Sequence, residues 1–461
     1  MRFQKLPRVL IAILIVGTFV LASQMADYGI AFASAVVFAL SVLLACRSCY
    51  ILRITRVSIA SFWYLTYLAM IFFPSFVIYS DQYGLYRDRY LFAVESVLIT
   101  VPLGWWFASW VWGFSRAEID SFYDSPIIYK TSERVFTRRV WVLLVMCLAL
   151  TVAYMHEVKT IPLFYLIKHP GEAAELALLR EESFKLLDSH LTYLYYIARQ
   201  VFFPLLILVA LGAYLELRNR KWLFTFALAG VCGVLFASLS LAKGPVALIF
   251  LASAMFYYFY KQGKPSRKII AVLLILIFAF PVAVVTYISS SDSPAASMAV
   301  ASIGYRLFYL PAEVLYYYFE VFPGHIPYLH GRGTDKVAKL LGEPYFDTPN
   351  TVGVYAYPQG LESISANAAF IADLNADFGL WGVLLGGVFT GVIMQSMQIY
   401  VLRRPKTAAT LAILSFLMVV FWFLNSTSLP IVLASDGAVL ALAVGWYFDR
   451  SEGLLLAPVR A

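Results

Sequence analysis

Apolar runs of about 20 residues dominate the sequence, and short polar or charged segments separate them. A helix of that length crosses the roughly 30 Å hydrocarbon core of a membrane, because each residue adds about 1.5 Å. Lipid offers backbone groups no hydrogen-bonding partner, and continuous rather than alternating apolar runs favour helices over a barrel. High-hydropathy windows predict about twelve spans, near residues 8–24, 28–45, 58–79, 91–114, 139–155, 193–217, 222–240, 244–260, 269–289, 379–401, 407–425 and 431–448. The predicted fold class is therefore all-α: a polytopic transmembrane helical protein that forms one integral membrane domain over residues 1–461.

Residues 297–322 form a further apolar stretch, which is predicted to lie in the outer interface rather than to cross the membrane. Arg306 and Glu313 stand in its middle, where lipid makes a charge costly. This layout leaves two large outer loops, residues 156–192 and 290–378. The first loop is expected to carry a second interfacial helix that begins near Pro170, since proline is tolerated in a first helical turn.

The distribution of Lys and Arg orients these spans. With the N-terminus inside, each short inner segment is positively charged, and together the inner segments hold most of the 35 Lys and Arg residues. Both termini are therefore expected to face the cytoplasm. The net charge of +8 reflects this topology and does not indicate a nucleic-acid partner. An apolar fraction of 61% and a charged fraction of 13% agree with the lipid bilayer as the surrounding medium.

Cysteine labelling tests this topology directly. Single cysteines placed at Gly263 and Gly342 should react from opposite sides of the membrane, because the charge pattern puts residue 263 inside and residue 342 outside. Reaction of both from the same side would contradict the twelve-span layout and make 297–322 a true span.

The polar chemistry is expected on the outer side. The largest inner loop, 115–138, is too short for a nucleotide-binding domain of about 100 residues, and the chain has no phosphate-binding loop of the G-x-x-x-x-G-K-[ST] type. All five histidines fall in the outer loops: His156, His169, His190, His325 and His330.

The second outer loop carries the most chemistry. Arg306 and Arg332 offer planar donor forks that match phosphate oxygens, and Tyr305 and Tyr309 offer stacking faces and hydroxyls that suit sugars. A belt of interfacial tyrosines remains the alternative interpretation of those rings. In the first loop, Arg180 is either a solvated charge or an anion contact. Ionisable residues also stand near the outer ends of predicted spans, where structural pairing and function are both open: Glu95, Arg199, Lys243, Asp373, Asp377 and Asp436.

The segment A-N-A-A-F-I-A-D-L-N-A-D-F-G-L-W-G, residues 366–382, resembles the Wzy-type oligosaccharide repeat-unit polymerases, which assemble O-antigens and capsules. Those proteins typically show a small-N-x-x-F-I-x-D-x-x-x-x-F-G-x-x-G stretch that leads into a late span. The matching residues are Asn367, Phe370, Ile371, Asp373, Phe378, Gly379 and Gly382. The run S-L-A-K-G-P, residues 240–245, resembles the Lys/Arg-Gly start of an equivalent helix in that family. An R-x10-G pattern of some members is not reproduced.

The resemblance implies a GT-C-like membrane fold in a bacterial inner membrane, with a periplasmic active site. It implies an inverting, metal-independent glycosyl transfer without cofactor, from an undecaprenyl-diphosphate-linked oligosaccharide donor to a lipid-linked acceptor unit. A chain-length regulator is a possible protein partner. The expected diphosphate contacts are Arg180, Arg306, Arg332 and Lys243; the candidate bases are His325, His330 and Asp373; Asn367, Tyr305 and Tyr309 are further substrate contacts. Arg306 and Arg332 are each expected to be essential, whereas Asp377 is expected to matter less than Asp373.

Three other functions remain open at this point. An O-antigen ligase would share the donor but transfer the glycan to lipid A-core. A peptidoglycan polymerase of the rod-shape type would also use a lipid diphosphate, although its motifs are not found. A secondary transporter would have a similar number of spans, but transporters usually bind at the bilayer midplane between internal repeats. No repeat is evident here.

Overall fold

The computed structural model describes residues 6–51, 53–82, 84–128, 132–158, 160–169, 179, 189–264, 271, 304–358 and 365–450. Within these ranges the regular structure is entirely helical. Nine helices of the described chain are long and apolar enough to cross a membrane: α2 (Tyr28–Ser48), α3 (Ile59–Asp81), α4 (Arg87–Val111), α6 (Glu133–Glu157), α8 (Leu191–Leu217), α9 (Arg220–Ser238), α14 (Ile371–Leu402), α15 (Ala408–Asn425) and α16 (Leu429–Asp449). The prediction of a polytopic helical membrane protein is confirmed at this level.

Seven further α-helices are described: α1 (Leu6–Met25), α5 (Ala117–Asp124), α7 (Pro162–Lys168), α10 (Lys243–Tyr260), α11 (Leu310–Val321), α12 (Asp335–Leu341) and α13 (Thr348–Ala356). A 3-10 turn (Ile54–Arg56) and a helical segment at 304–308 also occur. The helices α1 and α10 coincide with two further predicted spans. The predicted span 269–289 and the interfacial helix expected from Pro170 lie outside the described residues, apart from residues 179 and 271. The exact number of spans therefore stays a prediction.

The 297–322 stretch contains a short helix. After a helical segment at 304–308 the chain turns at Tyr309, and α11 then runs for 12 residues from Leu310. At about 1.5 Å per residue, α11 alone is too short to cross about 30 Å of hydrocarbon. Its buried face includes Leu315, Tyr316 and Phe319.

By packing, the described chain belongs to two compact units. Unit 1 comprises Met1–Asp120, Gly304–Tyr400 and Phe421–Ile431, and unit 2 comprises Ser121–Ile303, Val401–Val420 and Val432–Ala461.

Close backbone packing joins α4 and α14 within unit 1. A Cβ at Gly104 would lie 2.2 Å from the Val388 carbonyl oxygen, and a Cβ at Gly391 would lie 2.2 Å from the Val101 carbonyl oxygen. Because association in lipid depends on van der Waals contact, glycines at such positions allow two helices to approach more closely than larger residues would. This packing fixes the helix that begins at the 366–382 motif.

Buried amides add hydrogen bonds to the same pair of helices. The Gln395 side chain donates to the Ser109 hydroxyl at 3.0 Å, and the Gln398 side chain donates to the Gln395 carbonyl oxygen at 3.1 Å. The Gln398 oxygen in turn accepts from the backbone N–H of Ala60 at 3.1 Å, in the first turn of α3. Buried polar groups must be paired in lipid, so this chain of bonds specifies how α3, α4 and α14 are aligned.

Unit 2 is built around α8, whose residues Phe203–Ala210 are all buried. Gly212 continues this face, and a Cβ there would lie 2.7 Å from the Cβ of Ala408 in α15. Lys406, which precedes α15, is buried and donates to the Tyr123 carbonyl oxygen at 2.9 Å. A lysine that caps carbonyl groups in this way stabilises the turn into α15 without leaving a buried charge unsolvated.

Candidate active site

The 366–382 motif begins α14, and a glycine divides that helix. Gly379 has φ 65° and ψ −153°, a backbone conformation that only glycine adopts readily. The chain therefore makes a short helical segment up to Phe378, bends, and continues as the long helix to Leu402. A Cβ at Gly382 would lie 2.3 Å from the Leu374 carbonyl oxygen, so the short segment packs tightly against the start of the long one. The F-G pair of the motif is thus a structural break.

Asp377 binds the backbone of residues 330–333, a glycine-rich segment within the second outer loop; this segment is called the loop held by Asp377. Asp377 Oδ1 accepts hydrogen bonds from the backbone N–H groups of Gly331 at 2.9 Å and Gly333 at 3.1 Å. Its own carbonyl oxygen accepts from the His330 N–H at 3.0 Å. His330 and Gly331 both have positive φ, 53° and 98°, which turns these N–H groups inward. Asp377 is 5% exposed, so these bonds replace solvent for its carboxylate.

The loop held by Asp377 contains Arg332. Its Nε donates to the Leu329 carbonyl oxygen at 3.2 Å, and the side chain is only partly buried. The two terminal nitrogens of Arg332 form no hydrogen bond with a residue that the structure describes. The guanidinium of Arg332 also acts electrostatically on the carboxylate of Asp377. The result is a guanidinium whose orientation is fixed and whose donor fork is available to an anion.

Arg89 is a functional candidate that the sequence analysis missed. It lies in the first turn of α4, and its guanidinium carbon stands 5.3 Å from the ring centroid of Tyr328. A Cβ at Gly379 would lie 3.0 Å from Arg89 Nη2, so this cation rests directly against the bend in α14. Its Nε is buried and has no hydrogen-bond partner among the described residues. The sequence does offer one indication of its importance. Arg89 is a cation on the predicted outer side of the membrane, where Lys and Arg are less frequent than in cytoplasmic loops.

Asp373 lies one helical turn before Asp377, and the two carboxylates interact electrostatically. The Asp373 carboxyl group faces the hydroxyl of Ser428. Its side chain is partly accessible, whereas Asp377 is occupied by the loop. The two acids therefore differ in their contacts: Asp377 holds the loop, whereas Asp373 forms no hydrogen bond with a described residue of that loop and faces Ser428.

A second cluster of the same unit, here called the tyrosine cluster, consists of Tyr305, Tyr309, Tyr317, Tyr355 and Tyr357 with Glu313 and His325. Tyr305 and Tyr309 stack with ring centroids 5.2 Å apart, and Tyr317 meets Tyr355 at 6.4 Å and Tyr357 at 6.2 Å.

Hydrogen bonds fix these rings. The Tyr305 hydroxyl donates to Glu313, and the Tyr309 hydroxyl donates to Asp81 at 3.3 Å. Burial, together with the charge of nearby Glu313, raises the pKa of Tyr357 to about 12, so its hydroxyl remains a donor at neutral pH. Flat rings combined with carboxylate acceptors are the side chains that bind sugar faces and sugar hydroxyls.

The predicted site residues are divided between the loop held by Asp377 and the tyrosine cluster. His325 Nε2 lies 3.1 Å from the Tyr355 hydroxyl, so His325 belongs to the tyrosine cluster, whereas His330 belongs to the loop held by Asp377. Arg306 is exposed beside Tyr305 and forms no ion pair with a described residue. Asn367 is exposed and accepts a hydrogen bond from Ser365 at 3.2 Å.

Two predicted diphosphate contacts, Arg180 and Lys243, stay predictions. Arg180 lies outside the described residues, as does the side chain of Lys243, although the backbone of Lys243 starts α10. In the adjoining S-L-A-K-G-P run, Ser240 accepts a hydrogen bond from Arg199 at 2.7 Å. Arg199 is 4% exposed and lies 4.7 Å from the ring centroid of Tyr196, within the π-helical turn Ala198–Phe202. Such turns are frequent at functional sites.

Among the described residues, no group of three or more His, Cys, Asp and Glu side chains is arranged to hold a metal ion. Comparison with known proteins finds no matching family model, no significantly similar curated protein and no significantly similar solved structure.

Proposed function

We propose that this protein is a glycosyltransferase that polymerises oligosaccharide repeat units linked to undecaprenyl diphosphate, as Wzy-type polymerases do. The observation that carries the proposal is the loop held by Asp377, which fixes Arg332 while its terminal nitrogens bond to none of the described residues. The tyrosine cluster in the same unit supplies the stacking faces that a glycan requires. The motif at 366–382 adds the resemblance.

The chemistry follows from a donor that is already activated. The hydroxyl oxygen of the acceptor unit attacks the anomeric carbon of the donor glycan, and the bond from that carbon to the diphosphate oxygen breaks. Arg332 and Arg89 stabilise the negative charge that develops on the departing undecaprenyl diphosphate. The proton of the attacking hydroxyl passes to a base. The candidate bases near the loop held by Asp377 are Asp373 and His330. Attack from the face opposite the leaving group inverts the anomeric configuration.

We further propose that the protein crosses the bacterial inner membrane about twelve times, with both termini cytoplasmic and a periplasmic active site, and that a regulator of chain length acts on it. Neither ATP nor nucleotide sugars are available on that side of the membrane. An already activated glycosyl diphosphate therefore suits this location.

The profile of lipopolysaccharide from a deletion strain tests the proposed function. Loss of a polymerase leaves core carrying a single repeat unit, and the wild-type gene restores the long ladder. Bare core would instead indicate a ligase or a transporter of the lipid-linked unit. An unchanged ladder would show that the protein has no role in assembling this polysaccharide.

Activity should survive chelation by EDTA. In the reaction described above, the charge on the diphosphate is met by arginines, and Asp377 Oδ1 already accepts two backbone N–H groups at 2.9 and 3.1 Å. The measurement is polymerisation by purified protein in EDTA and again with added magnesium or manganese. Strict dependence on added metal would contradict this expectation and make Asp373 and Asp377 ligands of a bridging ion.

A further inference from the structure

A separate cavity of about 480 Å³ opens in unit 2, where α6 and α9 begin. The side chains that matter for its chemistry are Glu133, Arg134, Trp141, Lys221, Trp222 and Phe224. Both helices are candidate membrane spans, and the cavity includes residues from their first turns. It therefore lies at the level where the two spans leave the hydrocarbon and reach the lipid headgroups.

Two cations in this cavity have no partner among the residues that the structure describes. Neither the Arg134 guanidinium nor the Lys221 ammonium group forms an ion pair or hydrogen bond with a described residue. Among the described residues that line the cavity, Glu133 is the one acid, so this part of the wall carries a net positive charge. An arginine fork together with a lysine point charge is the combination that binds phosphate oxygens.

Aromatic side chains continue the wall toward the hydrocarbon. Trp141 is 38% exposed and Phe224 is 60% exposed, while Trp222 is 2% exposed and packs against Phe136 with ring centroids 5.5 Å apart. Tryptophan is enriched at headgroup level because its ring is apolar and its N–H is polar. Exposed apolar surface directly beside unpaired cations suits a ligand that has both an anionic head and an acyl chain.

We propose that this cavity binds the headgroup of an anionic phospholipid, with Arg134 and Lys221 on the phosphodiester and the first acyl carbons against Trp141 and Phe224. Basic pockets between spans bind anionic lipid headgroups in this way. A soluble phosphate would leave the exposed rings uncovered, so the lipid is the occupant that matches both parts of the wall. The site is distinct from the glycan chemistry proposed above and does not depend on it.

The experiment uses the purified full chain in a neutral detergent, titrated with phosphatidylglycerol or phosphatidylcholine and analysed by native mass spectrometry. Phosphatidylglycerol should be retained in preference to phosphatidylcholine. Lys221→Ala and Arg134→Ala should each weaken retention about fivefold, since a basic residue near an anionic surface contributes about 1 kcal/mol. Lys221→Arg should retain the lipid.

Arg220→Ala is the matched control, because it removes the same charge from the first residue of α9 but does not line the cavity. It should leave retention unchanged. Equal loss in Arg220→Ala and Lys221→Ala, or equal retention of the two lipids, would overturn the proposal. Displacement of phosphatidylglycerol by glycerol phosphate at comparable concentration would also overturn it, since the occupant would then be a soluble anion.

Discussion

Replacing Arg332 with alanine is expected to lower the rate of polymerisation by about 100-fold or more while the protein still inserts in the membrane. The loss follows because the fixed guanidinium stabilises charge that develops only as the diphosphate departs. Asp377 and the turn at His330 would still hold the loop, since their bonds involve the backbone of residues 330, 331 and 333. Arg332→Lys should recover little activity, because an ammonium group cannot supply a bidentate fork.

Lys339→Ala is the control for this variant. Lys339 is an exposed cation of the same outer loop, in α12, and it pairs with Asp335 at 2.8 Å. Its removal should leave polymerisation near the wild-type rate, because exposed pairs of this kind contribute little. Normal long-chain product from Arg332→Ala at normal expression would show that Arg332 is not a diphosphate contact. Arg306→Ala, measured beside it, tests the corresponding prediction for the arginine next to the tyrosine cluster.

Gly379→Ala is expected to abolish most activity for a different reason. An alanine there must adopt φ 65° and ψ −153°, which costs on the order of 1–3 kcal/mol. Its Cβ would also lie 3.0 Å from both Arg89 Nη2 and Tyr328 Cζ, closer than ordinary contact, so the cation and the ring would have to move. The rate per inserted molecule should therefore fall more than the amount of inserted protein. Polymerisation rate and membrane content are both measured.

Gly342→Ala provides the comparison. Gly342 also has positive φ, 72°, but a Cβ there would meet nothing within 4 Å. This variant should lose some stability through its backbone conformation and keep its rate per molecule. Equal losses of rate in the two variants would indicate that the contact of residue 379 with Arg89 is unimportant.

The membrane-spanning helices could be predicted because the apolar residues that make each helix stable in lipid lie within one continuous segment. The boundaries differ where charged residues extend a helix beyond the hydrocarbon. The span predicted at 139–155 is part of Glu133–Glu157, and the span predicted at 91–114 corresponds to Arg87–Val111. Hydropathy windows exclude such charged turns, although water at the interface solvates them while the backbone stays helical.

The site could be predicted only in part, because its contacts join distant segments. The sequence marks Arg332, His330 and Asp373 as candidates, but it does not reveal that Asp377 binds the backbone of the loop. That bond depends on positive φ at His330 and Gly331. Arg89 was missed because its candidacy depends on contacts with Tyr328 and Gly379, two residues that are distant from it in the sequence.

Polymerisation can be measured directly by supplying purified protein in lipid nanodiscs with a synthetic repeat unit on a polyprenyl diphosphate, without nucleotide. We expect a ladder of products that differ by one repeat unit, with one polyprenyl diphosphate released for each bond formed. Arg332→Ala should abolish the ladder, and Lys339→Ala should preserve it. Repeat units that remain single with the wild-type protein in nanodiscs, or that are joined only to added lipid A-core, would contradict the proposed function.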